Sequence, residues 1–353
     1  MGDIDTESKK YMSDNAHFAD AFNYLIYDGE PVIEPDALSP LDTAEIVIPY
    51  GNEAREPEQK YRDVLRLWQA MTDGEAIYAV LGGEIQAKVH YAMPVKDMLY
   101  DSMHYAKQVE AAKKSYRSQN EKKEKIRLTG AEFLSGFRKE DKLMPVITLV
   151  IYLGASEWDG PMSIHEMIST KNIQLLRFVP DYRIHLIAPA QMEDEEFLKF
   201  TTDFGKVLQF IKYSGNKEKL YEVTHEGDRF RNLDVDSANL INVVTGSQLK
   251  FETKGGLVDM CTAIDEMRKE SRNQGRQEGR QEGRLEGRQE GRLEGRQEGR
   301  LEGRQEGRQE GRQEGFLEAL SGLVRDGILT IADAAKRAGL SPAEFQSKTA
   351  GMK

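Results

Sequence analysis

The residues best suited to chemistry lie at the open end of a β-hairpin that the sequence predicts. Segments 60–71 and 75–90 are typical of strands, and Asp73-Gly74 between them favours a two-residue hairpin turn. With that turn Asp63 lies opposite Glu84, and opposed side chains on one face have Cβ atoms about 4.5–5.5 Å apart. Like charges so close destabilise a sheet, so we expect a cation between them, and a hard divalent ion with oxygen ligands fits best. The alternative is that both acids point into solvent at a sheet edge.

The second strand of this hairpin changes character along its length. Alternate residues share a face, so one face is apolar from Ile77 to Ile85, while the other begins with Tyr78 and Val80. That other face ends with three polar residues, Glu84, Gln86 and Lys88. A bound Mg²⁺ polarises a phosphoryl oxygen and lowers the pKa of its water, and a nearby amide or lysine can orient the water or offset charge on the phosphate. The spacing therefore suits metal-assisted phosphodiester hydrolysis.

The surrounding helices and strands must position these residues. Helices are predicted at 13–29 and 94–117, and residues 191–270 are mostly helical in pattern. Further strands are predicted at 43–49, 143–154 and 183–189. Segment 143–154 is apolar on both faces, which places it in the centre of its sheet. This order predicts a mixed sheet with helices packed against it, of the α/β or α+β class.

The composition changes abruptly after this region. Residues 275–314 are ten consecutive units of the form G-R-[QL]-E. Glycine at every fourth position costs a helix about 1 kcal/mol each, and no Glu–Arg pair falls at i,i+3 or i,i+4. We expect a marginal, solvated helix or an exchanging coil that acts as a spacer or a self-association arm. An RG-rich nucleic-acid binder is disfavoured, because each arginine is matched by a glutamate.

A small helical module follows the repeat. Thr330 can cap the helix "IADAAKRA", Gly339 can end it, and Ser341-Pro342 can begin the next helix. Two short helices joined in this way resemble a helix-turn-helix. The alternative is a helical hairpin for self-association, which the short and barely basic second helix "PAEFQSK" favours.

Composition limits the remaining functions. The chain has 353 residues, a net charge of −11 and one cysteine, Cys261, which we expect in the core. No segment approaches the roughly 18 apolar residues of a membrane span, so we expect a cytoplasmic protein without a membrane partner. The acidic balance argues against a general nucleic-acid binder, although a local basic patch can still bind DNA. His165-Glu166 lacks the second histidine of a zinc helix, and no CxxC, P-loop or GxGxxG motif is present.

Several segments in order along the chain resemble one protein family. They are "FADAFN" (18–23), "YRDVL" (61–65), "GGEIQ" (82–86), "HYAMPVKDMLYDSMHYAKQV" (90–109) and "PVITLVIYLGASEWDGPMSIHEM" (145–167). They resemble the Rpn family, recombination-promoting nucleases of the PD-(D/E)XK superfamily that are also described as transposases. The resemblance covers roughly residues 15–270, and a charged, glycine-rich repeat is common in such proteins. It implies a restriction-endonuclease-like mixed sheet flanked by helices.

The resemblance also implies roles for individual residues. The family's catalytic acids fall on Asp63 and Glu84, and its ExQ motif places Gln86 where other superfamily members have lysine. The superfamily's first helix can contribute an acid, for which Asp20 is the candidate. Family members usually read G-I-E-N-Q where this chain reads G-G-E-I-Q. Lys88 is our own candidate for a displaced basic group, with an ordinary edge lysine as the alternative.

These inferences combine into one functional hypothesis. We expect a Mg²⁺-dependent DNA endonuclease that promotes recombination or DNA mobility. Asp63, Glu84 and the Ile85 carbonyl would hold the metal, and Gln86 would orient the attacking water. The alternative is a catalytically weak or inactive DNA-binding scaffold that assembles through its repeat and C-terminal helices.

DNA contact requires positive charge near the site. Segment 107–127 is strongly basic, and its candidate phosphate-binding residues are Lys107, Lys113, Lys114, Arg117, Lys122 and Lys123. The alternative is a solvated helix end followed by a loop.

The chain is expected to divide into five parts. They are a disordered tail (1–14), nuclease core (15–190), helical extension (191–270), repeat linker (271–315) and helix-turn-helix-like module (316–353).

Overall fold

The structure is a computed structural model that describes residues 2–47, 58–72, 75–121 and 127–352. Those residues form two compact units, 1–268 and 269–353. The larger unit contains the candidate site. No helix in the described ranges is both long enough and apolar enough to cross a membrane.

A five-stranded mixed sheet lies at the centre of the larger unit, with strand order β1-β4-β5-β6-β7. The β4–β5 pair is antiparallel, whereas β5–β6 and β6–β7 are parallel. Strand β6 is apolar on both faces and lies between two partners, which confirms the prediction of a central strand at 143–154. The bounds are β1 (Leu38–Pro40), β4 (Val64–Thr72), β5 (Glu75–Gln86), β6 (Val146–Tyr152) and β7 (His185–Ile187).

The β4–β5 hairpin has the predicted register. Thr72 pairs with Glu75, and the pairing continues without a bulge to Val64 opposite Gly83. The turn residues Asp73 and Gly74 lie outside the described residues. Continuing the same register by one residue brings Asp63 opposite Glu84, as the sequence predicts.

Helices cover both faces of the sheet. On one face Phe18, Leu81, Leu149 and Phe204 belong to the main hydrophobic core. On the other face Leu65, Val80 and Val146 pack together with a tyrosine of the long helix α3. The helices of this unit are α1 (Gly2–Met12), α2 (Asn15–Tyr27), α3 (Met93–Glu121), α4 (Gly130–Ser135), α5 (Ile164–Met167), α6 (Ile173–Leu176), α7 (Phe204–Tyr213), α8 (Lys217–His225) and α9 (Val235–Thr245).

The N-terminal residues differ from the sequence expectation of a disordered tail over 1–14. They form helix α1, and its last turn buries Tyr11 and Met12 in the main core. The Tyr11 hydroxyl hydrogen-bonds the Ser237 hydroxyl of α9 at 2.7 Å, and its ring stacks on His17. The rest of α1 is polar, so its sequence carries little sign of these contacts.

Short strands complete the larger unit. The bounds are β2 (Ala44–Val47), β3 (Glu58–Tyr61), β8 (Leu233–Asp234), β9 (Thr253–Lys254) and β10 (Leu257–Val258). Strands β2 and β3 pair with each other, and β8, β10 and β9 form a separate small sheet. Cys261 is 5% exposed within the main core, which confirms its expected position.

The smaller unit is helical. Helix α10 (Met260–Arg325) includes the whole repeat, whose residues are exposed throughout. Of the two expected forms, the structure therefore shows the solvated helix. The core of this unit consists of Leu320, Ala334, Ala335 and Phe345.

The helix boundaries at the C-terminus confirm the predicted caps. The Thr330 side chain accepts the Asp333 N–H at the start of α11 (Ile331–Ala338), and Gly339 ends that helix at φ +69°. Ser341 and Glu344 form a capping box at the start of α12 (Pro342–Thr349).

Candidate active site

The site begins at a break between two strands. Strand β3 ends at Tyr61 and β4 starts at Val64, so Asp63 occupies a bend between them. Its Oδ2 accepts the Ile85 backbone N–H at 2.8 Å, and its Oδ1 lies 3.0 Å from Lys9 Nζ. These contacts fix the Asp63 carboxylate over the end of β5.

Glu84 is the second acid and is fully buried. Its Oε2 bonds Lys96 Nζ at 2.5 Å, whereas Oε1 has no hydrogen-bond partner among the described residues. Burial raises the pKa of Glu84, the Lys96 charge opposes that shift, and the Asp63 charge adds to it. Asp63 is therefore close enough to raise the pKa of Glu84.

Lys96 is a site residue that the sequence did not reveal. It lies in the first turn of α3, and its side chain is 22% exposed. Burial alone would lower the pKa of Lys96, but attraction to Glu84 and their hydrogen bond outweigh it and raise the pKa. Lys96 is thus a permanent cation, and only the packing of α3 on the sheet brings it to Glu84.

A buried arginine supports the strand end. Arg62 donates to Asp101 Oδ1 at 2.9 Å and to Thr148 Oγ1 at 2.8 Å. The Tyr182 hydroxyl donates to the other Asp101 oxygen at 2.6 Å. This network ties the residue before Asp63 to α3 and β6, so it restricts where Asp63 can lie.

The two glycines of "GGEIQ" have different neighbours. A Cβ at Gly82 would lie 2.1 Å from Arg62 Nη1, so only glycine lets the guanidinium cross β5 there. A Cβ at Gly83 would lie 3.3 Å from the Phe18 ring, a close contact but a smaller conflict. Phe18 thus fills the space in front of Gly83.

Asp97 is a third buried acid behind the pair. It is fully buried, and neither carboxylate oxygen has a hydrogen-bond partner among the described residues. Burial, followed by the charge of Glu84, raises the pKa of Asp97 well above its ordinary value. Burial thus favours the protonated form of Asp97, which an isolated helical "KD" sequence does not predict.

A cleft of about 560 Å³ opens beside these residues. Gln86 is half-buried at the end of β5, and Lys88 is exposed in the bend that follows. Both side chains line the cleft, but the cations that contact the acids are Lys9 and Lys96. The lining residues are Ile4, Asp5, Ser8, Asp63, Ile85, Gln86, Ala87, Lys88, Val89, His90 and Lys96.

Asp20 is not brought to this cleft. It is 2% exposed, and its carboxylate accepts the backbone N–H and hydroxyl groups of Thr201 and Thr202. These four hydrogen bonds, of 2.6–3.0 Å, occupy both oxygens. In this structure Asp20 therefore joins α2 to the segment before α7.

The candidate DNA-binding residues lie farther along α3. Lys107, Lys114 and Arg117 are exposed, and Lys113 pairs with Glu110 at 3.0 Å. At a rise of 1.5 Å per residue, positions 107–117 lie roughly 16 to 32 Å from Lys96 along the helix axis. Lys122 and Lys123 lie outside the described residues.

The oxygen donors of the site suit a hard cation. Asp63 offers a carboxylate at the cleft, and Glu84 offers an oxygen that lacks a partner in the described structure. The described residues contain no cluster of three or more His, Cys, Asp or Glu side chains that could hold a metal. Mg²⁺ needs only one or two carboxylates, because it keeps several waters and binds substrate phosphate, so the donor set fits Mg²⁺ better than Zn²⁺.

No protein-family model, curated protein or solved structure matches the chain. The chemistry of the site must therefore be argued from its own geometry.

Proposed function

We propose that this protein is a Mg²⁺-dependent DNA endonuclease with a restriction-endonuclease-like core, acting in recombination or DNA mobility. The observation that carries the proposal is the Asp63–Glu84 pair at the end of the β4–β5 hairpin. Glu84 is fully buried yet keeps one oxygen without a partner among the described residues. A buried carboxylate oxygen is costly unless something binds it. A cation held between Asp63, which lines the cleft, and Glu84, which is buried next to the cleft residue Ile85, would meet that need.

Each side chain has a role in this proposal. When bound, Mg²⁺ supplies a Lewis acid for the phosphate and lowers the pKa of a bound water. Asp63, Glu84 and the Ile85 carbonyl hold the ion, and the Gln86 amide orients the attacking water. Lys96 offsets charge that develops on the phosphate, because its ammonium group already lies against the Glu84 carboxylate at the site.

The duplex would be held by the basic face of α3. Along the helix, Arg117 lies about 32 Å from Lys96, close to one turn of B-DNA at about 34 Å, and Lys107 lies about 16 Å from it, close to half a turn. Lys107, Lys114 and Arg117 would contact backbone phosphates without reading sequence. The gap between the acids and these cations suits a ligand that extends over many nucleotides.

Plasmid nicking tests the proposal. Purified wild type, Asp63→Asn and Glu84→Gln are compared in Mg²⁺, with Asp36→Asn as the control for loss of an exposed carboxylate far from the cleft. Each site variant should lower the rate more than about 100-fold, because even the outer partners of metal ligands contribute 10–100-fold. Equal cleavage by all four proteins contradicts the assignment.

A second candidate is a DNA-binding scaffold that does not cleave. It is favoured by the ammonium groups of Lys9 and Lys96, which already neutralise both acids without any metal. This candidate predicts DNA binding by wild type, with no nicking in Mg²⁺, Mn²⁺ or Co²⁺. Nicking that Asp63→Asn abolishes rules it out.

A further inference from the structure

Helix α1 places a lysine on the first acid of the candidate site. Lys9 Nζ lies between Asp63 Oδ1 at 3.0 Å and Asp5 at 2.8 Å, and its side chain is 38% exposed. Asp5 and Ser8 of the same helix line the cleft. Ser8 is 1% exposed, and its hydroxyl has no hydrogen-bond partner among the described residues. Part of the cleft wall is thus a polar helical surface.

The position of Lys9 is fixed from its C-terminal side. Tyr11 is 3% exposed and Met12 is 2% exposed, both within the main core. The Tyr11 hydroxyl is bonded to Ser237 at 2.7 Å. Because Lys9 is only two residues from Tyr11, its Cα cannot move far while that turn stays packed. The ammonium can move only by rotation of the side chain.

The balance of charge suggests what Lys9 does once a metal binds. Without metal, Asp63 and Glu84 are balanced by Lys9 and Lys96. A divalent ion on the two acids would leave Lys96 without its partner and Lys9 paired with Asp5 alone, and the site would gain two positive charges. Attack by hydroxide on a phosphodiester monoanion would give a transition state with two negative charges, after which the P–O bond to the leaving oxygen breaks and that oxygen takes a proton from water. The two ammonium groups match that charge.

We propose that Lys9 is a catalytic residue that contacts the scissile phosphate together with Lys96. The proposal rests on the proposed nuclease function. Lys9 leaves Asp63 when the metal binds and stays paired with Asp5 at the cleft mouth. Lys9 and Lys96 belong to different helices, α1 and α3, and contact different acids of the pair.

The test combines metal binding with single-turnover cleavage in the full-length protein. Lys9→Met and Lys9→Arg are compared with wild type, and Lys10→Met is the matched control. Lys10 follows Lys9 on the same helix and also pairs with acids, Glu7 and Asp236. Mn²⁺ affinity is measured without DNA by the electron paramagnetic resonance of the free ion. Circular dichroism and thermal melting show whether each variant is folded.

Lys9→Met should bind Mn²⁺ about two- to fivefold more tightly, since an ion pair worth 0.2–1 kcal/mol no longer competes for Asp63. Its cleavage rate should fall about 100-fold, while Lys9→Arg keeps most of the activity and Lys10→Met changes neither quantity. The proposal is overturned if a folded Lys9→Met cleaves at the wild-type rate. It is also overturned if Lys9→Met binds Mn²⁺ more weakly than wild type does, because that result indicates a purely structural role. If wild type does not cleave at all, the nuclease function fails, and the role of Lys9 fails with it.

Discussion

The hairpin end and the repeat helix are both rich in charged residues, but they use charge in opposite ways. At the hairpin end Arg62, Glu84 and Asp97 are buried and held by few neighbours. In the repeat every arginine and glutamate is exposed, and the sequence places no opposite charges at the spacings that interact along a helix. The energy of a buried charge depends strongly on each partner, whereas interactions between exposed charges are screened by solvent. The comparison predicts that substitutions near the hairpin have large effects and substitutions in the repeat have small ones.

The largest effect is expected at Gly82. Gly82→Ala places a Cβ where Arg62 Nη1 now lies, so the buried guanidinium must leave Asp101 and Thr148. We expect a loss of about 3–5 kcal/mol in the free energy of unfolding, the range for a broken buried ion pair. Urea denaturation measures it, with Gly83→Ala as the matched control, since its Cβ meets only the edge of the Phe18 ring. Equal stability of the two variants would show that Arg62 relaxes freely.

The next effect is expected at Lys96. Lys96→Met leaves Glu84 fully buried without its cation, so the unfolding free energy at neutral pH should fall by about 3 kcal/mol. The double variant Lys96→Met/Glu84→Gln removes both charges and should recover most of that loss. Urea denaturation of wild type, Lys96→Met, Glu84→Gln and the double variant gives the coupling energy between the two residues. A double variant no more stable than Lys96→Met would contradict a charge-based explanation.

A smaller, pH-dependent effect is expected at Asp97. Its pKa is raised by burial, so the contribution of Asp97 to stability is greatest below the ordinary value of 3.8 and is lost as the pH rises through the folded-state pKa. Asp97→Asn cannot ionise, so its melting temperature should gain on wild type as the pH increases. Asp194 is a control residue whose pKa is shifted in the opposite direction. Burial alone would raise its pKa, but hydrogen bonds from Tyr213 and Lys212 lower it, so Asp194→Asn should lose stability relative to wild type above pH 3.8. Parallel curves for wild type and Asp97→Asn would count against a neutral Asp97.

The smallest effect is expected in the repeat. Gly291→Ala lies in an exposed helix with open space around its Cα, so it should add about 0.5–1 kcal/mol of local helix stability. Circular dichroism should show higher helicity, while the unfolding midpoint of the larger unit stays unchanged. A shift in that midpoint would mean that the repeat is not energetically separate from the hairpin.

Patterns of neighbouring residues correctly predicted the hairpin register and the helix ends, which depend on those residues. The hairpin register followed from a two-residue turn and the alternation of β5, and the C-terminal helix ends followed from Thr330, Gly339 and Ser341. Asp63 lies one residue beyond the paired part of β4, so the register predicts that it is near Glu84, while its contacts with Lys9 and the Ile85 N–H set its position.

Contacts between distant parts of the chain could not be predicted in this way. Asp20 binds threonines that are 181 and 182 residues away, and Tyr11 binds a serine 226 residues away. Lys96 and Asp97 are adjacent in a long helix, and only the packing of that helix on the sheet shows that both reach Glu84. Turns and helix caps can be predicted from residues that are neighbours in the sequence, whereas the partner of a buried charge cannot.

The bond between Tyr11 and Ser237 has a consequence during protein synthesis. The two residues are separated by 226 positions, which a ribosome needs roughly 10–45 seconds to translate at 5–20 residues per second. Until then α1 lacks its partner on α9, and Lys9 has no fixed place beside Asp63. A nascent chain therefore carries both acids long before the cleft wall is complete, so the cleft should be completed only late in translation.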